Sequence, residues 1–244
     1  MNLLAAFIFF TRLPLWRLKE IPSECFKYVV PYWPYVGWLT GGIMAGTIWI
    51  GTQIMPVSLA WILALGLRLL ITGCLHEDGL ADFFDGFGGG TTRERTLIIM
   101  KDSHIGTYGV IGLIIYFLLM IQLIHLPVPM LCMLVFCGDC WGKFCASQLT
   151  NILPYARKEE ESKAKVVYNR MSGTEICFNL IGGLLPSLIF LPISLWISWF
   201  ASLLALVFLV RLMKRRIQGY TGDCCGATFL ICELAFYLCC IIIL

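Results

Sequence analysis

Charge is scarce in this chain. Asp, Glu, Lys and Arg make up 14% of its 244 residues, with three histidines besides, where soluble domains carry about a quarter charged residues. That shortage excludes an ordinary soluble domain, and a net charge of +3 is too small to argue for nucleic-acid binding. No P-loop, dinucleotide fingerprint or Ser/His/Asp set occurs. Cys137 and Cys140 form one CxxC inside an apolar run, and no second pair at zinc-like spacing accompanies it. No low-complexity linker, soluble domain or internal repeat is visible, so residues 1–244 read as a single membrane-embedded domain.

What is present is hydrophobicity. Apolar residues make up 59%, mean hydropathy is +0.83, and several runs reach the ~20 residues that cross a bilayer as a helix. The pattern predicts an all-α, polytopic membrane bundle of about seven spans, near 33–54, 56–75, 106–126, 128–150, 174–192, 197–213 and 224–244. The opening MNLLAAFIFFTRLPLW is short and has no basic region before it, so it reads as an interfacial or re-entrant helix rather than a cleaved signal. Most of the twelve cysteines lie in apolar runs and read as small buried hydrophobes.

Segments 12–32, 76–105, 151–173 and 214–223 are polar and charged, whereas the breaks near 55–58, 127–129 and 192–196 carry no charge. Lys and Arg mark the cytoplasmic side. Arg12, Arg17, Lys19 and Lys27 share a side with Arg93, Arg95 and Lys101, with Arg157, Lys158, Lys163, Lys165 and Arg170, and with Lys214, Arg215 and Arg216. All groups available for chemistry then face the cytoplasm. A transporter needs polar groups through its depth and access from both faces, so the arrangement favours an enzyme. Within the spans, Asp139 and Lys143 stand four apart and are expected to pair, whereas Arg68 and Glu233 have no obvious partner in sequence.

The run HEDGLADFFDGFGGG (76–90) gathers four acids, a histidine and five glycines beside an apolar span. On a helix, Asp78, Asp82 and Asp85 share an arc of about 60°, with Leu80, Phe83, Phe84, Phe87 and His76 opposite and Glu77 at the boundary. Like charges so spaced repel, and a hard cation such as Mg²⁺ would offset them. Gly79 and Gly86 suggest close approach of a ligand to backbone. Downstream, Arg93, Arg95 and Lys101 supply cations for phosphate, and backbone N–H groups near Ser103, Gly106 and Thr107 are placed for an anion. In QGYTGDCCGA (218–227), Gly219, Thr221 and Gly222 suggest an anion nest, and Asp223 is a metal ligand or an N-cap. Ser172 and Glu175 fit a capping box. A carboxylate–cation site beside phosphate-gripping groups at a membrane face points to phosphoryl or phosphoalkyl transfer.

The segment from His76 through Gly86 resembles the HxDGxADxxDG segment of the cobalamin synthase family, also called adenosylcobinamide-GDP ribazoletransferase. FFTRLPL (9–15), IMKDSHIGTYG (99–109) and GYTGDCCGA (219–227) are similar to three further segments of that family, in the same order. The resemblance implies an Mg²⁺-dependent enzyme of the cytoplasmic (inner) membrane, acting in late nucleotide-loop assembly with its active site facing the cytoplasm. Its substrates would be adenosylcobinamide-GDP and α-ribazole or its 5′-phosphate. Its products would be GMP and adenosylcobalamin or the 5′-phosphate. Its partners would be the bilayer, no nucleic acid, and either a second copy or other enzymes of the same assembly. Carried onto this chain, Asp78, Asp82 and Asp85 would hold Mg²⁺. His76, Glu77, Arg93, Arg95, Lys101, Ser103, Gly106, Gly219, Thr221 and Gly222 would bind substrate, and Asp102 or Asp223 would accept the hydroxyl proton or complete a metal site. Where the family often shows a His and an Arg four apart, this chain has Asp139 and Lys143.

The competing enzyme is a CDP-alcohol phosphotransferase, whose DxxDG opening is echoed by residues 82–86. Its following Ala-Arg is replaced here by Gly89 and Gly90. A transporter or a non-catalytic scaffold is the reading from another class. It has no use for a three-acid stripe.

Overall fold

The computed structural model describes residues 1–157 and 167–244. Lys158, Lys163 and Lys165, used above for sidedness, lie outside the described residues. Among the described residues there are eleven α-helices and no strand: α1 Asn2–Phe10, α2 Trp33–Gly51, α3 Val57–Thr72, α4 Leu75–Gly89, α5 Arg93–Ile99, α6 Thr107–Met120, α7 Val128–Ser147, α8 Leu149–Ile152, α9 Gly173–Phe190, α10 Ser198–Arg216 and α11 Gly222–Ile243. An all-α polytopic bundle is thus what the chain forms.

By length and composition the described residues offer five candidate spans, or six if one bent pair counts as a span, against the seven or so expected. Five segments among the described residues are long and apolar enough to cross a membrane: Thr107–His125, Val128–Ile152, Gly173–Phe190, Ile193–Arg216 and Gly222–Ile243. The expected span 33–54 becomes α2, which has the length, at 19 residues, but not the apolarity. Its Trp, Gly and Pro residues lower its hydropathy. The expected span 56–75 becomes α3, only 16 residues long. It qualifies solely together with α4, to which it is bent by 88°.

That bend has a local cause. Gly73 (φ 65°) and Cys74 (φ 56°) are both left-handed, which ends one helix and re-aims the chain for the next. The Arg12 amide donates to the Ile71 carbonyl at 2.6 Å, so the end of α1 is fastened to the bend. A Cβ on Gly73 would fall 2.3 Å from Arg12 Nε. Gly73→Ala is therefore expected to cost about 1–2 kcal/mol from backbone conformation alone, with more from that clash, seen as a lower melting temperature of the detergent-solubilised protein. An unchanged melting temperature would refute this account of the bend.

Helices α7 and α11 form the centre. Their most apolar windows are 67% and 56% buried, against 22–28% for the windows containing α6, α9 and α10. Small residues let backbones close in, as in other membrane bundles. A Cβ on Gly37 or Gly41 of α2 would meet the α7 backbone at Cys140 Cα (2.9 Å) or Phe136 Cα (3.1 Å). The Ser172–Glu175 capping box forms at the start of α9. The cysteines are free, and most are buried.

The intramembrane charges converge on one buried network. Lys143 and Asp139 pair as their spacing predicts, and Thr40 Oγ1 donates to Asp139 Oδ1 at 2.9 Å. Arg68 of α3 finds its partner on α11: Nη1 donates to both Glu233 carboxylate oxygens at 2.8 and 3.0 Å. Its Nη2 donates to Tyr116 of α6 at 2.8 Å and to Glu77 of α4 at 3.4 Å. One guanidinium thereby ties four helices. Its five fixed donors suit that task, where an ammonium would offer three.

Candidate active site

The N-terminal ends of α4 and α11 meet at one cavity. Leu75, His76 and Asp78 come from α4, and Gly222, Asp223, Cys225 and Gly226 from α11. Two glycines set the approach. A Cβ on Gly79 would lie 2.9 Å from the Asp223 carbonyl, and one on Gly226 would lie 3.1 Å from that of His76. Gly79 therefore serves helix–helix contact, not the ligand approach expected from sequence. Gly86 likewise makes room for another helix, since a Cβ there would strike Met100 and the Thr96 carbonyl of α5. Gly222 is the open position, because a Cβ there would meet nothing within 4 Å.

The acidic stripe divides. Asp78 is exposed and lines the cavity. Asp82, one turn on, is 8% exposed. Asp85 faces α6, where its carboxylate accepts the Gly106 N–H at 2.7 Å and the Gly109 N–H at 2.8 Å. Of the amides expected to meet an anion, that of Gly106 does meet one, and it is Asp85. A Cβ at Gly106 or Gly109 would come within 2.5 Å of that carboxylate. His76 is buried, its ring against Trp33 and Phe229 with centroids at 5.7 and 4.8 Å. Glu77 turns into the Arg68 network.

The expected phosphate-binding cations are placed differently. Arg93 is committed to main chain, donating from Nε to the Ile217 carbonyl at 3.0 Å and from Nη2 to that of Ala156 at 2.7 Å. Arg95, Lys101 and Ser103 are exposed and do not line the cavity. Arg157 does line it, with Nη2 on the Leu97 carbonyl at 2.9 Å. Asp102 is exposed on the α5–α6 connection, paired with His104 Nδ1 at 2.7 Å. The His104 hydrogen bonds, side chain first and backbone second, hold its carboxyl below the usual range. In the α11 segment, the cap is Thr221, whose Oγ1 accepts the Cys224 N–H at 3.3 Å. Asp223 lines the cavity, its Oδ2 accepting from Thr221 Oγ1 at 3.4 Å. Gly219 packs on residues 154–156, where Tyr220 N–H donates to the Pro154 carbonyl at 2.9 Å and Ala156 N–H to the Tyr220 carbonyl at 2.8 Å.

The remaining wall is aromatic: Phe9 and Phe10 of α1, Trp33 of α2, and Tyr155 and Tyr168. Periodicity and charge pattern do not single these out. Phe9 and Phe10 fall in FFTRLPL, the only signal that touches them.

The first turn of α4 has no side-chain cap, so its N–H groups and the helix dipole favour an anion. Asp78 and Asp223 are anions on the same cavity. Both acids sit in the first turn of their helices, where the dipole suits them, and a divalent cation held by them would let a phosphate join them there. Among the described residues, no group of three or more His, Cys, Asp or Glu is placed to hold a metal ion. Mg²⁺ suits such a sparse oxygen set, because it ordinarily takes one or two carboxylates and completes its shell with water and substrate phosphate.

The sequence profile of the cobalamin-5-phosphate synthase family matches residues 2–241. The chain is 37% identical to a protein of Vibrio parahaemolyticus, over 96% of this chain and 89% of the relative. It is 36% identical to one of Shewanella sp. (strain W3-18-1), over 96% and 91%, and 32% identical to one of Leptospira interrogans, over 96% and 92%. All three bear the name adenosylcobinamide-GDP ribazoletransferase. No solved structure matches the chain.

Proposed function

The chain belongs to the cobalamin-5-phosphate synthase family, and from that premise we propose that it joins adenosylcobinamide-GDP to α-ribazole or α-ribazole 5′-phosphate. The products are adenosylcobalamin or its 5′-phosphate, and GMP. As a family member it is a transferase of cobalamin biosynthesis. The observation that carries the mechanistic reading is the single cavity shared by Asp78 and Asp223 at two helix N-termini.

The diphosphate of the GDP-activated substrate takes the uncapped N-terminus of α4, with Arg157 beside it. Asp78 and Asp82 would hold Mg²⁺, which when bound neutralises charge developing on the departing nucleotide. Asp223, from the facing helix, accepts the proton of the ribose 3′-hydroxyl. That oxygen bonds to the phosphorus carrying cobinamide, the bond from this phosphorus to the bridging oxygen breaks, and GMP leaves. Asp102 is the poorer acceptor, being outside the cavity and already held in its ionised form by His104. The reading includes a position in the cytoplasmic membrane with this Arg-rich end facing the cytoplasm.

Purified protein in nanodiscs, given Mg²⁺, adenosylcobinamide-GDP and α-ribazole, is expected to release GMP and yield a complete corrinoid. Chelation should stop the reaction and added Mg²⁺ restore it. Absence of both products would refute the reading. Asp223→Asn should lower kcat by about 10²–10⁴-fold, the usual scale for a positioned proton acceptor, while Asp102→Asn stays near wild type. The reverse ranking would reassign the proton acceptor.

A further inference from the structure

We propose that a second cavity, adjoining the first, seats the guanosine nucleotide that leaves, with Arg12 on its phosphate and Trp16 stacked on its base. This rests on the reading above for the identity of that nucleotide. It adds where the nucleotide sits and which side chains hold it. It also gives a role to the arginine of FFTRLPL, which that reading leaves unused.

The first cavity measures about 110 Å³. The reacting groups placed there fill it, so the nucleoside of the leaving group lies elsewhere. The second measures about 340 Å³, within the ~300–1,000 Å³ range of small-molecule sites. It lies between the end of α1 and the bend joining α3 to α4, and it shares Phe9 and Leu75 with the first. Leu75 opens α4, where the diphosphate is placed, so the leaving nucleotide can run from one cavity into the other past that residue. Asp223 lines only the first cavity and Arg12 only the second. The proton acceptor and this cation thus stand at different ends of the pair, as the entering and leaving oxygens of an in-line displacement do.

Charge selects the class of ligand. Arg12 is the one charged residue on the wall, so the cavity suits an anion and offers a metal no carboxylate. Its guanidinium makes no hydrogen bond or ion pair among the described residues, whereas those of Arg68, Arg93, Arg157 and Arg216 all do. Packing sets its position. A Cβ on Gly73 would fall 2.3 Å from its Nε, 2.9 Å from Cγ and 3.1 Å from Cδ, so the side chain lies across the bend just ahead of α4. An arginine serving only as a membrane anchor would instead extend its head to the interface. The Thr11 and Thr72 hydroxyls donate to the Phe7 and Arg68 carbonyls at 2.6 and 2.9 Å, so they do not compete for the phosphate.

Trp16, in the turn Leu15–Arg17, lines the cavity and is 54% exposed. Its ring surface is therefore open to a base. Stacking on tryptophan tolerates any base, and no acid stands on this wall to read the guanine edge. The nucleotide is held by its phosphate and its ring face.

The test uses the full chain in phosphatidylcholine nanodiscs and labelled GMP in equilibrium dialysis, with no corrinoid present. Wild type should bind GMP at least about tenfold more tightly than guanosine, the scale of a hydrogen bond to a charged group, and inosine monophosphate as tightly as GMP. Arg12→Ala should abolish the preference for GMP over guanosine, and Arg12→Lys should restore part of it. Trp16→Ala should weaken both ligands alike, about fivefold or more, and Trp16→Phe should recover most of that. In turnover, Arg12→Ala should raise the KM for adenosylcobinamide-GDP and leave that for α-ribazole unchanged. Equal affinity of wild type for GMP and guanosine overturns the proposal even if the variants fail to fold, and so does an intact GMP preference in Arg12→Ala. Loss of GMP binding when the nanodisc carries phosphatidylglycerol assigns Arg12 to a lipid headgroup and overturns it too. Failure of the enzymatic reading shows separately, as no GMP from wild type supplied with both substrates while GMP binding follows the stated pattern.

Discussion

Asp78→Ala is expected to remove turnover, lowering kcat for GMP release by at least about 10²–10³-fold, with the protein still folded and in the membrane. Asp78 is exposed at the cavity, so its loss leaves no buried group unsatisfied. What it removes is an oxygen that would hold Mg²⁺ against the diphosphate. Asp82→Ala, one turn along the same helix, should lower turnover likewise, with some loss of stability because Asp82 is buried. Asp85→Ala provides the contrast. It strips two amides at the start of α6 of their acceptor, at a cost of about 1–3 kcal/mol each for a buried unsatisfied group. Its main effect should be a lower melting temperature. Measuring GMP release and melting temperature for all three separates chemistry from architecture. Turnover near wild type in both Asp78→Ala and Asp82→Ala would remove the metal role from the stripe.

The largest stability effect is expected at Arg68. Arg68→Met leaves Glu233 and Glu77 buried without their cation, which costs about 3–5 kcal/mol when one partner of a buried pair is removed. The visible outcome is a sharp fall in folded yield and melting temperature in detergent. Replacing both partners, Arg68→Met with Glu233→Met, should recover much of the loss, since a well-packed apolar pair often matches a buried ion pair. Recovery should be incomplete, because Glu77 also contacts this guanidinium. If the double variant were no more stable than the single one, the pair would not be the unit that matters.

The contrast between these charges shows what the sequence could reveal. Asp139 and Lys143 are one helical turn apart, and local spacing announces their pairing. Arg68 and Glu233 are 165 residues apart, and only the tertiary arrangement of the bundle brings them together. The same division runs through the site. The period of Asp78, Asp82 and Asp85 was legible because it is a property of one helix, and the Ser172–Glu175 box was legible for the same reason. That Asp85 would cap α6 depends on how two helices dock. So does the use of Gly79, spent on the α11 backbone. At α2, length and absence of charge point to a crossing, whereas its Trp, Gly and Pro residues lower its hydropathy, and two of its glycines, Gly37 and Gly41, meet the α7 backbone. The bend at Gly73 and Cys74 was hidden because Cys74 has no sequence signature for a left-handed conformation. Arg157 passed as one more cytoplasmic anchor. Its place in the cavity depends on where residues 154–156 meet Gly219 and Tyr220.

The reciprocal seating of Gly79 and Gly226 also bears on how the protein is made. Helix α4 carries one half of the site and α11 the other, and six helices are synthesised between them. Until α11 is in place, Asp78 has no Asp223 across the cavity and Arg68 has no Glu233. A chain stalled before α11 lacks both one wall of the cavity and the main partner of the buried guanidinium. The cavity and the buried charge network are completed together, by one helix.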